Sequence, residues 1–177
     1  MSSSLKMTRT GRSRDSAARP WGSYRAVLFI DPYGMQLEWT TIEKIAATKV
    51  IDLWLLFPLG VGVNRLLAKS GEIPAGWRRR LDILLGTSAW DKELYRVEKT
   101  RTLFGTEEDH VEKASVEVIG TYFNERLKTL FAEVAREPAV LRNSRKSPLY
   151  LLCFAAAKEK GAPIALRIAE HIFRKAG

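Results

Sequence analysis

Residues 28–34 read LFIDPYG, and they decide the expected fold because an apolar run ends there in an acid, a proline, a tyrosine and a glycine. The run begins at Ala26 as AVLFI, a short apolar segment typical of a strand buried on both faces of a sheet. A helical pattern, WTTIEKIAATK, follows at 39–49, and a second apolar run, VIDLWLLFP, covers 50–58. Strand, helix and strand at this spacing predict a βαβ unit with parallel strands.

Further helices are expected after this unit. Helical patterns occupy residues 62–70 and 75–86. A longer one runs from about Glu108 to Ala135, with apolar residues at a period close to 3.6. The middle of the chain is therefore predicted to be helical.

The C-terminal part predicts a hairpin and a last helix. Two apolar runs within 139–157 flank the polar turn RNSRKSP, and the second strand is expected from Leu149 to about Ala155. An amphipathic helix follows over 162–175, with Ile164, Ile168 and Ile172 on one side. The expected fold is α/β, with a sheet of about four strands: two parallel strands plus a C-terminal β-hairpin, with flanking helices.

The composition is that of a globular protein of 177 residues, 46% apolar and 28% charged. Its apolar runs are too short to span a bilayer, and its first residues have no apolar stretch typical of a secretory signal. The single cysteine, Cys153, lies in an apolar run, so we expect a core residue and no disulfide framework. No spacing suggests a metal site. We expect a cytoplasmic protein without membrane contact.

The net charge of +9 is concentrated at the two ends. Residues 1–25 carry six Lys/Arg and one Asp, and residues 142–177 carry eight Lys/Arg and two Glu. Basic ends can attract a polyanion such as nucleic acid, or they can be a solvated tail and a solvated helix face. Residues 1–24 are predicted to be a disordered basic leader, and 25–177 one α/β domain.

The segment DPYG follows the first strand, and ligands of open α/β sheets bind at the carboxyl ends of strands. Asp31 can accept hydrogen bonds from an amine, and Pro32 leaves its carbonyl free to accept. Tyr33 offers a face on which a base can stack, and Gly34 permits a close approach. Together they could hold the amino group of a flipped-out base. The alternative is a plain turn, with these residues present for backbone reasons.

Several basic residues are candidates for contact with an anion or nucleic acid. Arg65 lies near the start of a predicted helix, close to a strand end, although a surface salt bridge would explain it equally well. The turn of the predicted hairpin adds Arg142, Arg145 and Lys146 to the basic C-terminal end. By contrast, Asp52 near the start of the second strand is expected to be a hydrogen-bonded structural residue.

The stretch LFIDPYG through VNRLL, residues 28–67, resembles the three-Cys-motif partner proteins, the TcmP family. RLDILLGTSAW at 80–90 and SPLYLLCFAAAKEKGAPIALRIAEHI at 147–172 add to the resemblance, which covers roughly residues 25–175. The resemblance implies a methyltransferase-like protein with a Rossmann-like fold. It also implies that Asp31, Pro32, Tyr33 and Gly34 hold the place of the catalytic DPPY-type loop of amino-methyltransferases, with one proline missing.

The resemblance places this chain at the C-terminal portion of such a protein. Full-length relatives begin with a glycine-rich loop that binds S-adenosylmethionine, whereas the only G-x-G here is GVG, Gly60 to Gly62, after the second strand. We therefore expect a truncated or split methyltransferase that binds S-adenosylmethionine only if the N-terminal half is supplied. The implied partners are a three-Cys-motif protein and an upstream-encoded N-terminal half.

A second hypothesis treats the chain as a non-enzymatic module whose basic ends bind nucleic acid or a partner protein. A variant of it places a DNA-binding helix-turn-helix at the C-terminus, with Gly161 at the turn. The β-rich segment LYLLCF before Gly161 weighs against that variant.

Overall fold

The computed structural model describes residues 25–101 and 107–176, so the predicted leader lies outside the described residues. A five-stranded mixed sheet forms the centre of the fold, and helices pack on both of its faces. A separate two-stranded hairpin lies beside it. The predicted α/β class is confirmed.

The predicted βαβ unit is present. Strand β1 spans Ala26–Ile30, helix α1 spans Trp39–Ala47 and strand β2 spans Ile51–Phe57. β1 and β2 pair in parallel, with Leu28 opposite Leu53. The short apolar runs thus form neighbouring strands. The expectation that β1 is buried on both faces is wrong, because β1 lies at the end of the strand order and leaves Val27 and Phe29 exposed.

The predicted C-terminal hairpin is also confirmed. The separate hairpin consists of β3, Tyr95–Arg101, and β4, Glu107–Lys113. Strand β5 has two residues, Glu133–Val134. Strands β6, Ala139–Arg142, and β7, Pro148–Ala156, form the predicted hairpin. β7 pairs antiparallel with β2, and its other side pairs with β5 and β6. The expectation of about four strands did not include β5.

The long helix predicted from Glu108 to Ala135 is wrong. β4, Glu107–Lys113, pairs antiparallel with β3, Tyr95–Arg101, and helix α5 begins only afterwards, at Val116–Lys128. Ser115 sets this boundary, because its hydroxyl accepts a hydrogen bond from the Val118 amide at 3.4 Å, as an N-cap does. The apolar period continues across the boundary, although the backbone changes conformation.

The remaining helices are short, apart from the last. The helix predicted over 62–70 is a π-helical turn at Leu59–Val63 followed by α2, Asn64–Leu66. The other bounds are α3 at Ala75–Leu85, α4 at Trp90–Leu94, a 3₁₀ turn at Glu159–Gly161 and α6 at Ala162–Ala176. Within the described ranges, no helix combines the length and the apolar character needed to cross a bilayer.

The two faces of the sheet bury separate apolar clusters. On one face, Phe57 stacks on Phe123 of α5 with ring centroids 3.8 Å apart, and Cys153 is fully buried, as predicted. On the other face α6 covers Trp54 and Phe154, and the ring of Phe173 lies 5.7 Å from that of Trp54.

Helix α6 does not bury the side that its sequence indicated. It packs through Ala162, Ala169 and Phe173, whereas the isoleucine side is exposed. The exposed fractions are 67% for Ile164, 56% for Ile168 and 40% for Ile172. Small residues let the helix approach the sheet closely, and the isoleucines are left on its flank.

Candidate functional site at the carboxyl edge of the sheet

Three loops meet at the edge where the parallel strands end. The DPYG loop follows β1, and a second loop begins at Pro58 after β2. β7 runs antiparallel to β2, with Phe57 opposite Leu151, so the turn between β6 and β7 reaches the same edge. The antiparallel placement of β7 therefore brings the sequence-predicted basic turn to the end of the sheet that carries the DPYG loop.

Two glycines of the second loop are sites of close approach. A Cβ atom on Gly62 would lie 2.9 Å from the sulfur of Met35, and one on Gly60 would overlap the carbonyl oxygen of Pro148. The three loops are therefore in direct contact. The missing side chains at Gly60 and Gly62 therefore allow these loops to pack closely.

The DPYG loop presents two functional groups to solvent. Asp31 is exposed and Tyr33 is 84% exposed, whereas Pro32 is buried and anchors the loop. Gly34 has a φ of +59°, and the amide of Gln36 donates to the Tyr33 carbonyl at 3.3 Å. The turn thus requires the left-handed conformation at Gly34. It leaves a carboxylate acceptor and an aromatic face available at the end of β1.

The turn between β6 and β7 is held by its own hydrogen bonds. The Asn143 side-chain oxygen accepts from the amides of Arg145 and Ser147 at 3.0 and 2.9 Å. The Arg142 guanidinium donates to the Lys146 carbonyl at 3.0 Å. Arg142 therefore braces the turn, and the exposed side chains of Arg145 and Lys146 project from it.

Electrostatics connect this turn to the start of α5. The pKa of the Glu117 carboxyl is lowered by its own backbone amide, by the Ser115 hydroxyl and by the charge of Arg142. Glu117 lies in the first turn of α5, where the helix dipole also favours a negative charge.

Arg65 is exposed on α2, and Lys113, which the sequence did not single out, contacts the backbone of the same segment. The ammonium of Lys113 donates to the carbonyls of Asn64 and Leu67 at 2.8 and 2.9 Å, so it ties the β3–β4 hairpin to α2. Burial and the nearby charge of Lys69 lower the pKa of Lys113. No sequence signal distinguished Lys113, because it fell inside the wrongly predicted helix.

A cavity of about 190 Å³ lies between the β3–β4 hairpin and the start of α5. Its lining combines both signs of charge with a hydroxyl: Glu93, Leu94, Arg96, Glu112, Lys113, Ala114, Ser115 and Val118. None of the predicted site residues lines it. The DPYG loop lies outside this cavity.

Asp52 has the structural role that the sequence predicted. Its carboxylate accepts from the Ala157 amide at 2.8 Å and from the Arg25 guanidinium at 3.3 Å. It therefore joins the start of β2 to the end of β7, at the opposite edge from Asp31.

The C-terminal helix-turn-helix is wrong, because strand β7, rather than a helix, precedes the turn at Gly161 and α6. The described residues place no group of three His, Cys, Asp or Glu side chains where they could hold a metal ion. Comparison of the chain with protein-family models, curated proteins and solved structures finds no match.

Proposed function

We propose that this chain is a methyltransferase-like subunit, similar to the C-terminal portion of a three-Cys-motif partner protein. In this proposal it supplies the acceptor-binding loop, and another polypeptide supplies the half that binds S-adenosylmethionine. The observation that carries the proposal is the position of β1: it is an edge strand, and its carboxyl end bears the DPYG loop.

The hydrogen bonds of β1 support this reading. The amide of Ala26 donates to the Val50 carbonyl at 3.0 Å, so alternate residues of β1 face β2. Val27 and Phe29 therefore direct their amides and carbonyls to the outer side, where no strand among the described residues pairs with them. Parallel strands usually lie inside larger sheets, which favours a missing neighbour.

The strand arrangement gives independent support. Two parallel strands are followed across the sheet by β7, which is antiparallel and carries β6 on its far side. A sheet of parallel strands with a final antiparallel hairpin resembles the second half of a Rossmann-like methyltransferase. A common fold does not fix an activity, so the function rests on the DPYG loop.

In this proposal Asp31 and the Pro32 carbonyl accept hydrogen bonds from an acceptor amine, and Tyr33 stacks on the ring that bears it. Methyl transfer would require the second component, which would supply the S-adenosylmethionine. The candidates for the second component are a three-Cys-motif protein and an upstream-encoded N-terminal half.

Transfer of labelled methyl groups from S-adenosylmethionine to single-stranded DNA tests the proposal. We expect no transfer by the chain alone, and transfer by a mixture with the polypeptide encoded immediately upstream. Asp31→Ala should abolish transfer by the mixture, whereas Glu137→Ala, at an exposed acid elsewhere, should not. Transfer that survives Asp31→Ala would contradict the role of the DPYG loop.

A non-enzymatic nucleic-acid module is the second candidate, favoured by the braced basic turn that holds Arg145 and Lys146 outward. Single-stranded DNA binding measured against salt tests it. Loss of two phosphate contacts in an Arg145→Ala, Lys146→Ala variant should reduce the slope of log K against log salt by about 1 to 2. An unchanged slope would show that this turn does not contact the DNA phosphates.

A further inference from the structure

We propose that the outer edge of β1 and the exposed flank of α6 form one docking surface, which takes a strand and a helix from a second polypeptide. We call it the β1–α6 surface and define it by Val27, Phe29, Ile164, Ile168 and Ile172. It rests on the proposed function only in that the docked unit would belong to the cofactor-binding half.

The β1 part of the surface combines unpaired backbone with exposed apolar side chains. Val27 is 54% exposed and Phe29 is 46% exposed, and both residues also direct their peptide groups outward. Phe29 is the register partner of Trp54, whose ring packs on Phe173 of α6. Val27 and Phe29 therefore lie on the face of the sheet that α6 partly covers.

The handedness of the chain places the isoleucines of α6 on the same side as β1. Consider a strand of L-residues that runs upward. A residue whose side chain points toward the viewer directs its own N–H and C=O groups to the right. Seen from the face that α6 covers, Val27 and Phe29 direct these groups away from β2. β1 therefore lies to the right of β2, β7 and β6. α6 follows β7, runs upward and packs on the sheet through Ala169. Because the helix is right-handed, Ile168 and Ile172 then project to the right, toward β1.

The spacing of the elements selects the occupant. With strands about 4.8 Å apart, α6, which lies over β7, is roughly 10 Å from β1 across the sheet. Neighbouring helices pack at about 8–10 Å, so one additional helix fits directly over β1, against the isoleucines. An additional strand fits beside β1. One strand and one helix therefore cover the whole surface.

A second copy of this chain does not fit. Pairing of β1 with β1 around a two-fold axis would leave the two α6 helices roughly 24 Å apart, well beyond contact distance. The isoleucines would stay exposed, and a five-residue edge alone buries less than the roughly 1,000 Å² of a stable interface. The preceding residues, 1–24, are rich in Ser and Arg and lack the apolar periodicity of a strand and helix.

A synthetic peptide with a five-residue Val/Ile strand, a glycine turn and a three-turn amphipathic helix is the probe. We expect it to bind the full chain in fluorescence anisotropy, and a peptide with the helix residues shuffled to bind more weakly. Phe29→Lys and Ile168→Glu should each weaken probe binding by about tenfold or more. The matched control is Val97→Lys, at a valine 61% exposed outside the surface, which should leave binding unchanged.

Failure of the probe to bind, or binding that only Phe29→Lys weakens, would overturn the proposal. So would a dimer in analytical ultracentrifugation that Phe29→Lys abolishes and Ile168→Glu preserves, because a second copy would then occupy the edge. All three positions are at least 46% exposed, and circular dichroism checks that the variants fold. If the probe docks as expected but no mixture binds S-adenosylmethionine, the proposed function fails and the docking surface stands.

Discussion

Gly60 lies against the carbonyl of Pro148, which fixes the loop after β2 to the start of β7. This contact joins two segments almost ninety residues apart in the sequence, at the edge of the sheet that carries the DPYG loop. The position of the basic turn therefore depends on a residue without a side chain.

Gly60→Ala should destabilise the fold, because its Cβ would overlap backbone that cannot rotate away. We expect a loss of about 1–3 kcal/mol in the free energy of unfolding, measured in urea. Gly76→Ala is the matched control, since nothing lies within 4 Å of a Cβ there. It lies in α3 and should be neutral or stabilising by about 0.5–1 kcal/mol. Equal effects of the two substitutions would contradict the close approach at Gly60.

The two acids at opposite ends of the parallel strands should respond differently to alanine. Asp52→Ala removes the acceptor of the Ala157 amide and should cost about 1–3 kcal/mol of unfolding free energy. Asp31→Ala should leave stability nearly unchanged, because Asp31 is exposed. A large loss of stability in Asp31→Ala would show that Asp31 is a structural residue.

The amides of β1 should exchange with deuterium in an alternating pattern. Leu28 and Ile30 face β2 and should be protected, whereas Val27 and Phe29 face outward and should exchange faster. Exchange read residue by residue by NMR in the isolated chain measures the pattern. Uniform protection along β1 would mean that its outer edge is covered.

The Cys153 thiol should be inert in the folded chain. Burial raises its pKa, so the native state keeps its proton at a pH where the unfolded thiol, with a pKa of about 8.5, has lost it. The unfolded state therefore binds fewer protons, and this thiol lowers stability as the pH rises above about 8.5. Cys153→Ala should flatten that decline, and thiol reagents should label the wild-type chain only on unfolding. Rapid labelling of the native chain would contradict the burial.

Removal of the Lys113 ammonium should loosen the attachment of the β3–β4 hairpin. Lys113→Met keeps the length of the side chain and loses both hydrogen bonds to α2, which should cost about 1–3 kcal/mol of unfolding free energy. Lys92→Met, at an exposed lysine of α4, provides a second lysine for comparison. Equal stabilities of the two variants would show that Lys113 does not stabilise the contact between the hairpin and α2.

The local parts of the fold could be predicted from the sequence. β1, α1, β2 and the β6–β7 hairpin each depend on apolar runs and turn residues within a few positions. The β3–β4 hairpin could not, since the apolar period of α5 continues backward through Val111 and only Ser115 marks the change. The exposure of the α6 isoleucines could not be predicted either, because periodicity identifies an apolar side of a helix but not what covers it.

The candidate site was predictable residue by residue but not as an assembly. DPYG could be identified because it follows a short apolar run, which forms strand β1. The basic turn lies at the same end of the sheet as DPYG because β7 runs antiparallel beside β2. No local pattern specifies this long-range pairing, which places Arg142, Arg145 and Lys146. The role of GVG was also decided by distant residues, Met35 and Pro148, which fill the space beside its glycines.

The most direct test is calorimetric titration of S-adenosylmethionine into the chain alone and into its mixture with the polypeptide encoded immediately upstream. We expect no binding by the chain alone and saturable binding by the mixture, because in the proposed function another polypeptide supplies the half that binds the cofactor. Binding by the chain alone would contradict the proposal that another polypeptide supplies the cofactor-binding half. Absence of binding in both titrations would contradict the proposed split methyltransferase.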